Sequence, residues 1–313
     1  MPLIAICLGY FMVILDATVV NVALPALGRD LGGGVSDLQW VVDGYTLVFA
    51  GLLLSAGSLG DRLGGRNVFR AGLVLFTLAS AACAAAPSVP LLVAARLAQG
   101  LGAALLVPSS LALLRAAYHD PRERARAVGA WGAVAGIAAA SGPVVGGLLV
   151  SAASWRWVFL LNLPVGIAAL LLAERFLPRV GERTGAGIDP LGQLLAVAAL
   201  SSLTFGLIQS GHSGWTSAEG LVPLLVSVPL WVAFLACERR AREPMLPLRL
   251  FRSPTFSGAS FVGLAINLGF YGQLFVISLY FQHVRGWSPL VTGLALLPEG
   301  IFVALSSALS GRA

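Results

Sequence analysis

Polar residues divide the chain into long apolar blocks, many close to the roughly 20 residues an α-helix needs to cross about 30 Å of hydrocarbon. These blocks predict spans near 3–27, 39–59, 68–87, 90–114, 127–150, 156–174, 190–210, 220–237, 255–281 and 289–310. Helices are the expected form, because an unpaired backbone group in lipid costs several kcal/mol and a helix pairs its own. Composition agrees: 58% of the 313 residues are hydrophobic and 11% are charged, where soluble domains carry about 25% charged residues. The expected fold class is an all-α integral membrane protein with about 10 transmembrane helices.

The net charge of +6 arises from 20 basic residues, every one an arginine, and 14 acidic ones. With a cytoplasmic amino terminus, the inward connectors hold Arg62, Arg66, Arg70, Arg115, Arg122, Arg124, Arg126, Arg175, Arg179, Arg183, Arg239, Arg240, Arg242, Arg249, Arg252 and Arg312. The outward connectors hold only Arg29, Arg156 and Arg285, and Arg96 falls inside a span. That asymmetry is the positive-inside pattern, and it sets both the parity of the span count and the orientation. Because the arginines form no basic domain or aromatic platform, nucleic acid is not an expected partner; membrane lipid is. Absence of lysine beside abundant Ala, Gly, Leu and Arg reads as the codon bias of a GC-rich bacterium, so a bacterial cytoplasmic (plasma) membrane is the expected location. Trp40, Trp155, Trp157, Trp215 and Trp287 fall near outer span ends, where interfacial anchoring is expected.

Several classes of function are disfavoured. Cys7, Cys83 and Cys237 lie alone in apolar surroundings and His119, His212 and His283 are far apart, so no zinc spacing, disulfide framework or Cys/His nucleophile can be assembled. No cofactor is implied, and the lack of a G-x-x-x-x-G-K-[ST] loop disfavours ATP-driven pumping. The chain is not expected to be an enzyme. The first block holds Asp16, exceeds a signal h-region and lacks a basic n-region, so it reads as the first span.

Five segments carry chemistry inside this apolar frame. Span one reads Leu15-Asp16-Ala17-Thr18-Val19-Val20-Asn21-Val22-Ala23-Leu24-Pro25, with Asp16 near mid-depth. A carboxylate there costs about 2.5–3.5 kcal/mol on insertion scales, so it is expected to face a polar cavity, be protonated or have a partner. The next connector is Gly57-Ser58-Leu59-Gly60-Asp61-Arg62-Leu63-Gly64-Gly65-Arg66, whose glycines permit a tight turn and whose Asp61 can attract the following helix start. Span four holds Arg96-Leu97-Ala98-Gln99-Gly100-Leu101-Gly102-Ala103-Ala104; Arg96 and Gln99, three apart, share a face beside small residues that admit a close neighbour. Span five holds Ser141-Gly142-Pro143-Val144-Val145-Gly146-Gly147, where proline removes a backbone bond and glycine lets a backbone approach. Trp155-Arg156-Trp157-Val158-Phe159-Leu160-Leu161-Asn162-Leu163-Pro164-Val165-Gly166 leads into span six. Asp43, near the outer end of span two, and Asp16 are alternative acidic partners for Arg96, and Glu299, mid-depth in span ten, is expected to face the interior.

In order along the chain these segments resemble the L-D-x-T-x-V-N-x-A-L-P helix, the G-x-L-x-D-R-x-G-R-R/K loop, the R-x-x-Q-G-x-G-A-A helix, the Gly-Pro antiporter helix and the W-R-W-x-F-x-x-N-x-P-x-G segment of one family. That family is the fourteen-helix drug:proton antiporter branch of the major facilitator superfamily. Pro247-Leu248-Arg249-Leu250-Phe251-Arg252, Gly286-Trp287-Ser288-Pro289 and Gly293-Leu294-Ala295-Leu296-Leu297-Pro298 extend the likeness over almost the whole chain. The resemblance implies an inner gate latch at Gly57, Asp61, Arg62, Gly64 and Arg66, with Gly65 standing where a basic residue is usual. It implies an antiporter motif at Gly142, Pro143, Gly146 and Gly147, and proton coupling or a substrate cavity around Asp16, Asp43, Arg96 and Gln99, to which Glu299 is added by its depth. Protons and a lipophilic, often cationic small molecule are the implied partners. The expected organisation is a six-helix bundle over 1–176, a loop and linking helix pair over 177–238, and a loop with the first two helices of an incomplete second bundle over 239–313. A non-transporting membrane protein that binds a partner or lipid through the first bundle is the alternative.

Overall fold

The computed structural model describes residues 1–178, 189–241, 244 and 246–310, the side chains at 54, 61, 300 and 303–310 excepted. Arg179, Arg183, Arg242 and Arg312 of the expected inward set lie outside the described residues. Regular structure among the described residues is entirely helical: α1 (Pro2–Leu31), α2 (Val35–Leu63), α3 (Gly65–Ala85), α4 (Val89–Ala117), α5 (Pro121–Ala152), α6 (Arg156–Leu160), α7 (Asn162–Phe176), α8 (Pro190–Ser213), α9 (Ala218–Arg240), α10 (Pro254–Leu279) and α11 (Pro289–Ser310). A short 3-10 turn, Leu248–Arg252, precedes α10, and one π-helical turn, Tyr280–Val284, follows it. Among the described residues eight helical stretches are long and apolar enough to cross a membrane, α6 and α7 forming one of them. At about 1.5 Å per residue, the 29 residues of α2 reach about 43 Å.

Helix ends follow local chemistry. Asp120 caps α5, accepting from the backbone N–H groups of Arg122 and Glu123 at 2.9 Å each. Asp189 caps α8 through Gly192 N–H and Ser217 caps α9 through Gly220 N–H, and Pro190 opens α8 where its missing donor costs nothing. The connector between α2 and α3 is much shorter than the sequence suggests. Gly57 to Leu63 continue the helix, and the chain turns at Gly64 alone, whose φ of 83° is open to glycine and strained for other residues. Gly64 itself occupies the cap position of α3 with no side-chain cap bond, and the Asp61 side chain lies outside the described residues.

α1 lies at the centre of the first seven helices, packed against α4, α5 and α7, while α4 also holds α2 and α3. α8 and α9 pair with each other, and α8 lies along α2, where Gln193 Nε2 donates to the Gly51 carbonyl at 2.7 Å and its amide oxygen meets the Ser55 hydroxyl. Both ends of the first group are tied. At one end Arg66 donates to the Glu174 carbonyl at 2.5 Å and to its carboxylate at 3.2 Å, with Arg70 paired to the same carboxylate. At the other, Asp30 accepts from Trp155 Nε1 at 2.9 Å and from Arg156 at 2.6 Å. Trp155 is buried against the protein at that end, whereas Trp157 and Trp215 are exposed.

The glycines of α5 are used on two sides. A Cβ on Gly146 would stand 2.7 Å from the Val19 carbonyl oxygen, and one on Gly142 would collide with the Thr18 side chain, so α1 and α5 touch backbone to backbone. Gly147 faces the backbone of Pro289 and Leu290, and Gly293 of α11 faces the Pro143 carbonyl, so the same short stretch also seats α11. We expect Gly146→Leu to cost about 1–3 kcal/mol of stability through overpacking, read as a lowered unfolding midpoint in detergent micelles. An unchanged midpoint would show that α1 and α5 separate freely.

Candidate functional site

Asp16 of α1 and Arg96 of α4 meet in the middle of the first helix group. Neither touches solvent: Asp16 is 0% and Arg96 1% exposed. Arg96 Nη1 donates to Asp16 Oδ2 at 2.5 Å. The other carboxylate oxygen, Oδ1, accepts from Gln99 Nε2 and from Asn162 Nδ2, each at 2.8 Å. Arg96 Nε donates to the Val41 carbonyl at 2.9 Å and Nη1 also reaches Gln99 Oε1 at 2.7 Å. The guanidinium lies 4.2 Å from the Tyr45 ring centroid, in range for a cation–π contact.

A second layer of polar groups holds the amides in place. Ser80 Oγ accepts from Gln99 at 2.8 Å and Asn162 at 3.2 Å and donates to the Phe76 carbonyl at 2.8 Å. The Cys83 thiol lies 3.5 Å from Gln99 Oε1. Four helices, α1, α3, α4 and α7, thus converge on one carboxylate, and each charged atom faces an opposite charge or a dipole. Such pairing is what allows ions out of water, since an isolated buried charge costs several kcal/mol. Sequence reading singled out Asp16, Arg96 and Gln99 but assigned Asn162 no part in the site and passed over Ser80, which no motif marks.

A cavity of about 800 Å3 lies against this cluster, between α1, α2, α4 and α10. Asp43 and Arg96 line it, with Asn21, Gln39, Thr46 and Asn267 as further polar walls and Tyr10, Tyr45, Phe49, Tyr271 and Phe275 as aromatic ones. Asp16 and Gln99 do not line it; they sit behind Arg96, so of the alternatives expected for Asp16 the structure shows a partner and not a cavity wall. Among the described residues no hydrogen bond or ion pair engages Asp43. Arg96 takes Asp16, and not Asp43, as its partner. Glu299 is elsewhere: it accepts from Gln273 between α10 and α11, outside the cavity lining. The buried Asn21 Oδ1 has no partner.

The fold and this centre define a multi-pass helical membrane protein with a buried ion pair beside a partly open inter-helix cavity. The sequence matches the Major Facilitator Superfamily over residues 6–313. The chain belongs to that superfamily, a family of membrane transporters. It is 43% identical to the methylenomycin A resistance protein of Bacillus subtilis (strain 168), over 99% of this chain and 66% of that protein. It is 41% identical to the multidrug resistance protein Stp of Mycobacterium tuberculosis (strain CDC 1551 / Oshkosh), over 100% of this chain and 58% of that one. The chain thus spans a little under two thirds of the length of these relatives. Its fold is similar to the inward open conformation of the xylose transporter XylE from E. coli, with a TM-score of 0.54 at 14% identity, covering 96% of this chain and 94% of that one.

Asp16→Asn leaves Arg96 as an uncompensated buried cation and is expected to lower the unfolding free energy by about 3–5 kcal/mol. Adding Arg96→Gln should recover part of that loss in a double-mutant cycle followed by denaturant unfolding in micelles. Strictly additive losses would show that the two residues act independently.

Proposed function

We propose that this chain carries the first bundle and part of the second of a proton-coupled exporter that moves lipophilic, cationic small molecules out of a bacterial cell. The observation that carries the reading is the sealed Asp16–Arg96 pair, one side chain away from a cavity that holds an unengaged carboxylate at Asp43. Residues 1–176 are the first bundle, 177–238 a loop and linking helix pair, and 239–313 a loop and the start of the second bundle. The amino terminus is cytoplasmic, as the arginine asymmetry indicates. The drug and antibiotic resistance named for the relatives supports export, and the Gly-Pro helix fits antiport.

In this scheme Asp43 offers its carboxylate to either a cation or a proton, which makes the two compete for one charge. Aromatic walls supply apolar contact and ring faces for a cationic, planar guest. Asp16 reads the proton gradient through Arg96: protonation removes the charge that holds the guanidinium and frees it to turn toward the cavity it already borders. Gln99 and Asn162 then keep the protonated acid hydrogen-bonded. Glu299 with Gln273 is a further protonatable group on the second-bundle side. The hinge-like contacts of Gly142, Pro143, Gly146 and Gly147 let the two bundles rock about a fixed centre, and Arg66 and Arg70 on Glu174 hold the inner end of the first bundle. No bond-making chemistry is required of any residue.

Inverted membrane vesicles from cells expressing the open reading frame should accumulate ethidium when an inward-acid pH gradient is imposed. Asp43→Asn should weaken ethidium binding, whereas Asp16→Asn should keep binding and abolish its dependence on the gradient. Accumulation that ignores the gradient in the wild type would overturn the scheme and favour a partner-binding membrane protein.

A further inference from the structure

The shared end of α8 and α9 holds two carboxylates that the transport scheme does not use. Glu238, in the last turn of α9, is 3% exposed. Its Oε2 accepts the Leu246 backbone N–H at 2.9 Å, while Oε1 is buried and has no hydrogen-bond partner. Asp189 precedes α8 and spends Oδ1 on the Gly192 N–H at 2.8 Å. Its remaining oxygen, Oδ2, lies 3.8 Å from Cys237 Sγ, a weak contact.

The two spare oxygens lie over the same patch of α8. A Cβ built on Gly192 would stand 2.5 Å from Asp189 Oδ2 and 3.1 Å from Glu238 Oε1, so both point at the face that glycine leaves bare. Two carboxylates gathered there, one of them 3% exposed, stay ionised only with positive charge nearby, because unpaired burial of an ion costs several kcal/mol. The start of α8 supplies only a fraction of a charge. Among the described residues no ion pair reaches either carboxylate, and Arg239 and Arg240 on the last turn of α9 are exposed to solvent.

We propose that Asp189 Oδ2 and Glu238 Oε1 bind a hard divalent cation of the Mg2+ class. Its chemistry selects that class: Mg2+ takes one or two carboxylates and keeps several waters, and half-open Asp189 leaves a side for them. A transition metal would need more, and among the described residues no three His, Cys, Asp or Glu side chains converge as ligands. Bound there, the ion joins the start of α8, the end of α9 and, through the Glu238–Leu246 bond, the segment leading to α10. It would fasten the linking helix pair to the second-bundle side.

The test is calorimetric titration of MgCl2 into the purified full chain in micelles at fixed ionic strength, paired with thermal unfolding. Wild type should show saturable single-site binding and a Tm that rises with Mg2+. Glu238→Gln retains an acceptor for Leu246 and Asp189→Asn retains the helix cap, so both should fold, bind Mg2+ at least tenfold more weakly and lose the Tm response. Binding and unfolding are read with no pH gradient and no transported guest present, which keeps this outcome separate from any result on transport. Absence of saturable binding, or equal binding by Glu238→Gln and Asp189→Asn, overturns the proposal.

Discussion

A full negative charge placed where water cannot reach it governs the design of the first seven helices. Asp16 has to be matched in place, and its needs explain why a long cation stands on α4, an amide one turn away from it and a second amide on α7. The arginine is as demanding as the acid. Its Nε and Nη1 donors find the Val41 carbonyl, the Asp16 carboxylate and the Gln99 amide oxygen, and its flat face finds Tyr45. Four helices must therefore sit in one register for either charge to be tolerable. In an apolar medium, where all packed surfaces are equally greasy, such a network fixes relative helix height in a way that side-chain burial alone does not.

That register is compatible with movement because the α5 contact is made of glycine backbone against small side chains and carbonyls. Gly146 faces the Val19 carbonyl and Gly293 the Pro143 carbonyl, and the side chains that also meet this seam are the small Thr18 and Val19, so little interlocking opposes rotation or sliding. Pro143 adds to this by leaving the carbonyl one turn before it without its usual donor. The same seven-residue stretch of α5 thus touches the helix that carries Asp16 on one side and α11 on the other. Displacement of α11 is mechanically connected to Thr18 and Val19, two and three residues from the carboxylate.

Much of this arrangement was legible in the amino-acid sequence, for identifiable reasons. Cost in lipid marks Asp16 and Arg96 as residues that cannot stand idle, and the breaks between apolar blocks coincide with polar or glycine-bearing connectors. Sidedness was not legible. A helix with lipid on one face and packed apolar neighbours on the other is apolar all round, so periodicity cannot say which way it faces. For that reason the choice between Asp16 and Asp43 as partner of Arg96 stayed open until the helices were placed. The α2–α3 connector misled for a different reason: a glycine-rich, charged segment reads as a loop, yet helix continues through Leu63 because only Gly64 needs a positive φ. Asn162 lies in a recognisable segment that gives no hint of its partner, and Ser80 is a small polar residue whose value comes only from what it meets.

The separation of Asp16 from the cavity has a consequence for how coupling can work. A guest in the cavity meets Asp43 and the outer face of Arg96, never Asp16 itself. In the proposed scheme proton and guest therefore meet different carboxylates, with the Arg96 guanidinium between them. Arg96 belongs to both sets of contacts at once, since the carbonyl and carboxylate that hold it lie on α2 and α1, two of the walls of the cavity. Any rearrangement that neutralises Asp16 loosens Arg96 from α1 while its bond to Val41 persists, which shifts positive charge toward α2 and Asp43. In the proposed scheme a cationic guest held at Asp43 would then be disfavoured by like charge, which is how protonation at Asp16 would favour release.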